Sequence, residues 1–323
     1  MSLELFPIGG YFELELPKVI EYHKQAIRLN TGRNAFEYIL STHAISKVYL
    51  PKFICSSMHE PLKKLNLEFE EYSIDENFYP ILGFKQIKST EYFLYVNYFG
   101  INDVNVEVLK SRVKNLIVDN SQAFYSKPVL NCPTLYSPRK FFGIPDGAYL
   151  YCDKDLQVEK DVSNGRFEAL IGRLEFPPED FYNQFKESSK KLSGQDIKEM
   201  SKATQRMLES INYAEAKTQR ISNFECLQKR FEKINNIDIK LNKSSVPMGY
   251  PLLISNGKRL KSFLISNKVF VPTYWPEILD TIGDQCFERN LVENLVFIPI
   301  DQRYNASHMN EIIRLTNTFL NNE

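Results

Sequence analysis

The chain has no excess of charge of either sign, since forty Lys and Arg balance forty Asp and Glu among 323 residues. No overall field therefore draws it to nucleic acid or to an anionic membrane, although a local anion site stays open. Histidine is scarce: His23, His43, His59 and His308 are scattered without metal-ligand spacing, which argues against a zinc site and gives no local support to His/Cys nucleophilic catalysis. Cys55, Cys132, Cys152, Cys226 and Cys286 contain no C-x-x-C pair and are odd in number, the pattern of reduced thiols and not of a disulfide framework. No run approaches the ~18 apolar residues of a membrane span, and the start, MSLELFPIGGYFELELP, has neither a basic leader region nor a continuous apolar stretch. Internal repeats and low-complexity segments are missing as well. The expectation is a cytosolic (cytoplasmic) protein with a small-molecule partner, with no nucleic acid, membrane or metal among its ligands.

What is present is material for a large core, with 43% hydrophobic and 13% aromatic residues in a length that suits about two domains. Short apolar runs alternate with helix-like stretches. After a Gly9-Gly10 turn, the pattern predicts a strand over 11–16 and a helix over 17–29. It then predicts a helix over 35–42, strands over 47–50 and 67–72, a helix from about 56 to 65, and a strand over 91–96. A helix over 104–114 and strands over 116–118 and 148–152 follow. Such alternation is the signature of a mostly parallel sheet with crossover helices, an α/β fold. From 177 to 233 the spacing of apolar residues predicts two or three helices. The rest predicts a small α+β domain: a strand over 250–255, a helix over 257–267, an extended 268–273, a strand over 296–299 and a final helix over 306–321. The division expected is a large domain over 1–214, whose N-terminal segment can pack on the small domain, and a small C-terminal domain over 215–323.

The stretch 115–147 organises the rest. Leu116-Ile117-Val118 reads as a buried strand ending on Asp119, and Ser137-Pro138-Arg139-Lys140 follows before a Gly-containing turn. A strand-end acid with a downstream lysine suits chemistry that uses pyridoxal 5′-phosphate (PLP) as an electron sink, with the lysine holding the cofactor covalently and the acid holding its ring nitrogen protonated. Each residue also has an ordinary role, the Asp as a turn former and the Lys as a solvated surface group. Thr31-Gly32-Arg33-Asn34-Ala35 opens a helix, where free N–H groups and the helix dipole favour an anion; a plain N-cap is the alternative there.

D-N-S-Q-A (119–123) followed by S-P-R-K (137–140) resembles the DegT/DnrJ/EryC1-like sugar aminotransferases, PLP enzymes of fold type I in the aspartate aminotransferase superfamily. That resemblance implies Lys140 as the cofactor-bearing lysine, Asp119 on the pyridine nitrogen, Gln122 near the ring hydroxyl and Ser137 on the phosphate. It also makes T-G-R-N-A the phosphate turn, with Gly32 and Arg33 as donors. Relatives place an aromatic ring over the cofactor near the loop after Pro51, where this chain offers Phe53 or Cys55, Phe53 being alternatively an ordinary core aromatic. Asn97-Tyr98-Phe99-Gly100 stands where many relatives have His-Leu-Tyr-Gly, which gives Asn97 a place facing cofactor or substrate or, alternatively, in a turn. Tyr274 and Arg303 are candidate substrate contacts, Arg303 alternatively forming a structural ion pair with Asp301. The usual G-Y-N-x-R element is not recognisable. The implied activity moves an amino group from glutamate to a keto sugar nucleotide in surface polysaccharide or related synthesis, in a homodimer. The alternatives are a PLP transaminase for a small ketone or amino acid, and a non-catalytic member of the fold that binds PLP or a sugar nucleotide.

Overall fold

The computed structural model describes residues 8–84, 87–242 and 244–322. The leader reading of residues 1–7 therefore lies outside the described residues. In chain order the first elements are β1 (Ile27–Leu29), α1 (Gly32–Thr42), β2 (Lys47–Pro51), α2 (His59–Lys64), β3 (Glu68–Ile74), β4 (Pro80–Ile81) and β5 (Glu91–Val96). Next come α3 (Asp103–Arg112), β6 (Leu116–Asp119), β7 (Thr134–Tyr136), β8 (Ala148–Tyr151), β9 (Glu159–Lys160), α4 (Glu168–Glu175), α5 (Tyr182–Lys190) and β10 (Lys198–Glu199).

Ten strands form one sheet in the order β4-β3-β2-β5-β6-β7-β8-β1-β10-β9. The β3-β2-β5-β6-β7 run is parallel, and β7–β8, β8–β1 and β1–β10 are antiparallel. The central strands are buried along nearly their whole length, because helices cover both faces of a parallel sheet and leave no solvated face to alternate with. Val96 pairs with Asp119 and Asp119 with Leu135, so the chain ends of β5, β6 and β7 stand side by side. Ligands collect at this edge of an open α/β sheet.

The remainder comprises α6 (Lys202–Leu208), α7 (Tyr213–Phe231), β11 (Gly249–Leu253), α8 (Gly257–Ser266), α9 (Phe287–Asn294), β12 (Leu295–Pro299) and α10 (Ala306–Asn321). β11 and β12 pair antiparallel, and a second buried cluster joins α7, α8 and α10 to them through residues such as Phe231, Tyr250, Leu264 and Phe319.

Two expectations fail at the N-terminus. Residues 11–16 form no strand, and 17–29 form no helix but a turn that ends in β1. The apolar spacing there serves tertiary contacts instead. Glu21 is buried and accepts from Arg28 and from Tyr149 Oη, His23 Nε2 stands 2.8 Å from the Phe124 carbonyl, and Ile27–Leu29 pair with β8. These partners outweigh the weak local helix preference. Burial also holds the His23 imidazole down at about 4. The sequence pattern missed β7, only three residues long, and the helices α4 and α9.

Candidate active site

Asp119 is buried at the end of β6, and its Oδ1 accepts from the Ser121 N–H at 2.8 Å. Burial pushes the carboxyl above its ordinary value, opposed by hydrogen bonds from Ser121 and by the positive charge of Lys140. The lysine follows from the next strand: β7 ends at Tyr136, and Pro138–Lys140 form a 3-10 turn closed by Lys140 N–H donating to the Ser137 carbonyl at 3.1 Å. Neighbouring strand ends thus bring Asp119 and Lys140 together. The Lys140 side chain is exposed and has no hydrogen-bond or ion-pair partner among the described residues.

The N-terminus of α1 reaches the same place. A Cβ built on Gly32 would stand 3.6 Å from Ser121 Oγ and 3.8 Å from Ser137 Cβ. Thr31 caps the helix by accepting from Asn34 N–H at 3.1 Å, and Ala35 N–H bonds the Thr31 carbonyl. That leaves the Gly32 and Arg33 N–H groups as the helix's free donors. The Arg33 guanidinium is held by Glu60 and by Ser193, so Arg33 brings its backbone N–H here and not its side chain.

Other expected residues lie differently. Asn97 is buried, donates to Asp103 Oδ1 at 2.8 Å and Asn120 Oδ1 at 3.1 Å, and accepts from Asn102 N–H; its polar atoms are used within a turn network instead of facing a ligand. Gln122 Oε1 accepts from the Phe99 N–H at 2.9 Å, which leaves its amide nitrogen as the end able to meet a ligand. That bond holds Phe99 at φ 57, a left-handed conformation costly for a bulky side chain, and Gly100 follows at φ 69. A Cβ on Gly100 would meet the Val246 and Gln122 carbonyl oxygens at 3.0 and 3.1 Å.

Phe53 is fully buried, with its ring 4.5 Å from Trp275 and 5.7 Å from Tyr98, and serves as a core aromatic with no face left for a cofactor. Cys55 is half-buried in the same loop and accepts from Ser57 Oγ at 3.1 Å. Tyr274 packs its ring on Phe99 and Phe297, and burial raises its phenol. Arg303 forms a two-pronged pair with Asp301 at 2.7 and 2.9 Å, the ion-pair alternative given above.

Sequence reasoning missed Ser121, Arg220 and Gln302. Ser121 lies inside D-N-S-Q-A and was legible by position. Arg220 carries no motif. It sits on α7, 1% exposed, with Nη2 donating to the Phe141 carbonyl (3.1 Å), Nη1 to the Met248 carbonyl (3.0 Å) and Nε to Gln302 Oε1 (3.0 Å). Gln302 itself donates to the Phe141 carbonyl at 3.0 Å. Two donors from outside the sheet therefore clamp the backbone directly after Lys140. With no carboxylate among these bonds, burial pulls the guanidinium down to about 10. Arg139 adds a third tie, through Ser189 of α5.

No protein-family model and no curated protein matches this chain. Among solved structures, it is similar to a DegT/DnrJ/EryC1/StrS aminotransferase from Brucella abortus at 12% identity, with 91% of this chain and 85% of that one covered and a TM-score of 0.58. It is similar to the sugar aminotransferase CalS13 from Micromonospora echinospora at 11% identity, covering 91% and 87%, TM-score 0.61. It is also similar to the E. coli GDP-4-keto-6-deoxy-D-mannose-3-dehydratase with bound hydrated PLP at 14% identity, covering 90% and 87%, TM-score 0.59. The chain has the fold of these proteins: a large, mostly parallel sheet flanked by helices, with a smaller α+β portion after it.

The cradle yields a prediction of its own. Gly32→Ala places its methyl in ordinary contact distance of Ser121 and Ser137, so the fold tolerates it, and it improves helix propensity slightly. Thermal stability should hold while affinity for free phosphate or PLP falls about tenfold, an order of magnitude for a displaced anion. Equal binding by the variant, measured by calorimetric titration, would show that the anion does not sit on this turn.

Proposed function

We propose that the protein is a PLP-dependent aminotransferase that takes its amino group from glutamate and delivers it to a keto sugar nucleotide. The observation carrying this reading is the meeting of Asp119, Lys140 and the α1 N-terminus at adjacent strand ends. The residues fit the cofactor. Gly32 and Arg33 N–H groups with the Ser137 and Ser121 hydroxyls would hold the phosphate, and Asp119 would hold the protonated ring nitrogen. Gln122 Nε2, without a hydrogen-bond partner among the described residues, would face the ring hydroxyl.

When bound, PLP supplies an electron sink for the negative charge that develops on the substrate carbon. Lys140 Nζ, exposed and unpaired among the described residues, removes and returns the proton at the substrate α-carbon. Its backbone is fixed by the Arg220 and Gln302 bonds to Phe141, which limits how far the amine can drift from that carbon. Asp119, desolvated and opposed only by Ser121 and Lys140, has a carboxylate in need of a cationic partner, and a ring N–H⁺ is such a partner. The same reading takes the protein as a homodimer working in the cytoplasm on the way to surface polysaccharide. Among the described residues no helix is long and apolar enough to cross a membrane.

The test is a single-turnover reaction: PLP-loaded protein mixed with L-glutamate should release about one 2-oxoglutarate per chain, one turnover by stoichiometry. Loaded protein that releases none is no glutamate aminotransferase. A second stage with keto sugar nucleotides against small ketones separates the two acceptor classes.

Asp119→Asn should cut the glutamate half-reaction by about 10²–10⁴-fold, since an amide cannot keep the ring nitrogen charged. The same change should raise the melting temperature of the cofactor-free protein at neutral pH. The sign follows from the raised carboxyl: its folded state favours the proton, so the stability it confers is present below the ordinary carboxylate range and is lost as pH rises through the folded value. A neutral amide removes that loss. Scanning calorimetry at neutral pH checks it, and a lowered melting temperature contradicts it.

A further inference from the structure

We propose that His43, Cys152 and Asp153 form a binding site for a borderline divalent cation, zinc foremost, at the C-terminal end of α1. The three side chains offer ligand atoms all within 4.8 Å of one another, and they come from separate elements: His43 caps α1, and Cys152 and Asp153 leave the end of β8. Neither the cofactor chemistry nor the sheet has a use for this trio.

The histidine is set up as a ligand. Its Nδ1 lies 3.0 Å from the Ile39 carbonyl, which can only accept, so Nδ1 carries a hydrogen and Nε2 is the ring atom left to bind a metal. Nε2 stands 3.7 Å from Asp153 Oδ1, too far for a hydrogen bond. That separation is the spacing of two ligands around one tetrahedral zinc, about 3.3–3.7 Å for bonds near 2.0–2.3 Å. The three ligand atoms lie within 4.8 Å of one another, and side-chain rotation at the half-buried Cys152 and the exposed Asp153 can bring them to zinc spacing.

The end of α1 favours a cation. The carbonyl end of α1 points here, and the last turn of that helix contains no basic residue to neutralise it. A thiolate, imidazole and carboxylate set selects zinc over magnesium or calcium. Water would complete the fourth position. The consequence is structural: the far end of α1 becomes tied to the exit of β8, about 16 Å along the helix from Gly32.

The test is independent of PLP. Reduced, metal-stripped full-length protein is titrated with Co²⁺ and then Zn²⁺. The expected result is one tetrahedral Co²⁺ per chain with a sulfur-to-metal charge-transfer band, displaced by Zn²⁺, and a zinc-dependent rise in melting temperature. Cys152→Ser should abolish the sulfur band, and His43→Ala should weaken zinc binding by about 10–100-fold or more. Asp153→Asn, on an exposed side chain, leaves the fold intact and should lose about tenfold. Absence of a sulfur band, its survival in Cys152→Ser, or zinc affinity unchanged in Asp153→Asn would overturn the proposal.

Discussion

Lys140→Ala should lose the glutamate half-reaction by about 10⁴-fold or more, because it removes both the covalent anchor of the cofactor and the group that moves the α-carbon proton. Its stability should hardly change. The side chain is exposed and makes no bond among the described residues, and such positions usually alter stability by less than about 0.5 kcal/mol. Only Asp119 would notice, since loss of the Lys140 charge leaves its buried carboxyl still more inclined to keep a proton. Lys140→Arg keeps the charge without a nucleophilic amine, and should be as inactive as the alanine variant. Steady-state turnover and calorimetry on both variants decide this. An active Lys140→Ala enzyme would remove the base from the scheme.

Arg220→Ala should be the most damaging change to the fold. It takes the Arg220 donor away from the Met248 carbonyl and from Gln302 Oε1, and leaves the Phe141 carbonyl with only its bond from Gln302. The guanidinium also lies over the Phe141 ring, with Cζ 4.6 Å from its centroid. Stranding buried polar groups in this way costs about 1–3 kcal/mol each when no water enters, so a loss of about 3–5 kcal/mol is expected. Burial holds this guanidinium below its ordinary value, and most of the damage comes from the partners left behind. Arg220→Lys retains one or two of the bonds and should fold. In that variant the Phe141 carbonyl loses part of its clamp, the Lys140 amine drifts, and kcat should fall about tenfold or more with a smaller change in KM. A proportional loss in neither parameter would mean that Arg220 holds the α7 packing alone.

The centre of the molecule was legible because its code is local. A strand buried on both faces reads as an apolar run whatever surrounds it, and Leu116–Asp119 and Glu91–Val96 read that way. The final helix Ala306–Asn321 carried its own cap, with Asn305 accepting from His308 N–H. Asp119, Lys140 and Gly32 sit in short motifs that each mark a strand end or a helix start. What failed was decided by distant partners. Residues 17–29 have helical spacing, yet Glu21, His23 and Ile27 each answer to a residue more than a hundred positions away. Phe53, offered as a cofactor ring or as an ordinary core aromatic, lies inside an aromatic cluster completed by Trp275. Asn97 was offered as facing a ligand or as part of a turn, and its bonds to Asn102, Asp103 and Asn120 are those of a turn network. Arg220 and the His43–Cys152–Asp153 group exist only once the sheet has formed, and no spacing along the chain announces either.

The most direct test of the central claim is to load the protein with PLP, reduce it with borohydride, digest it and map the modified peptide by mass spectrometry. The expected result is a single pyridoxyl mass on Lys140, in the peptide that contains Ser137 and Pro138. Modification of a different lysine, or a loaded protein whose Lys140 stays unmodified, would contradict the assignment of this strand-end pair as the catalytic site.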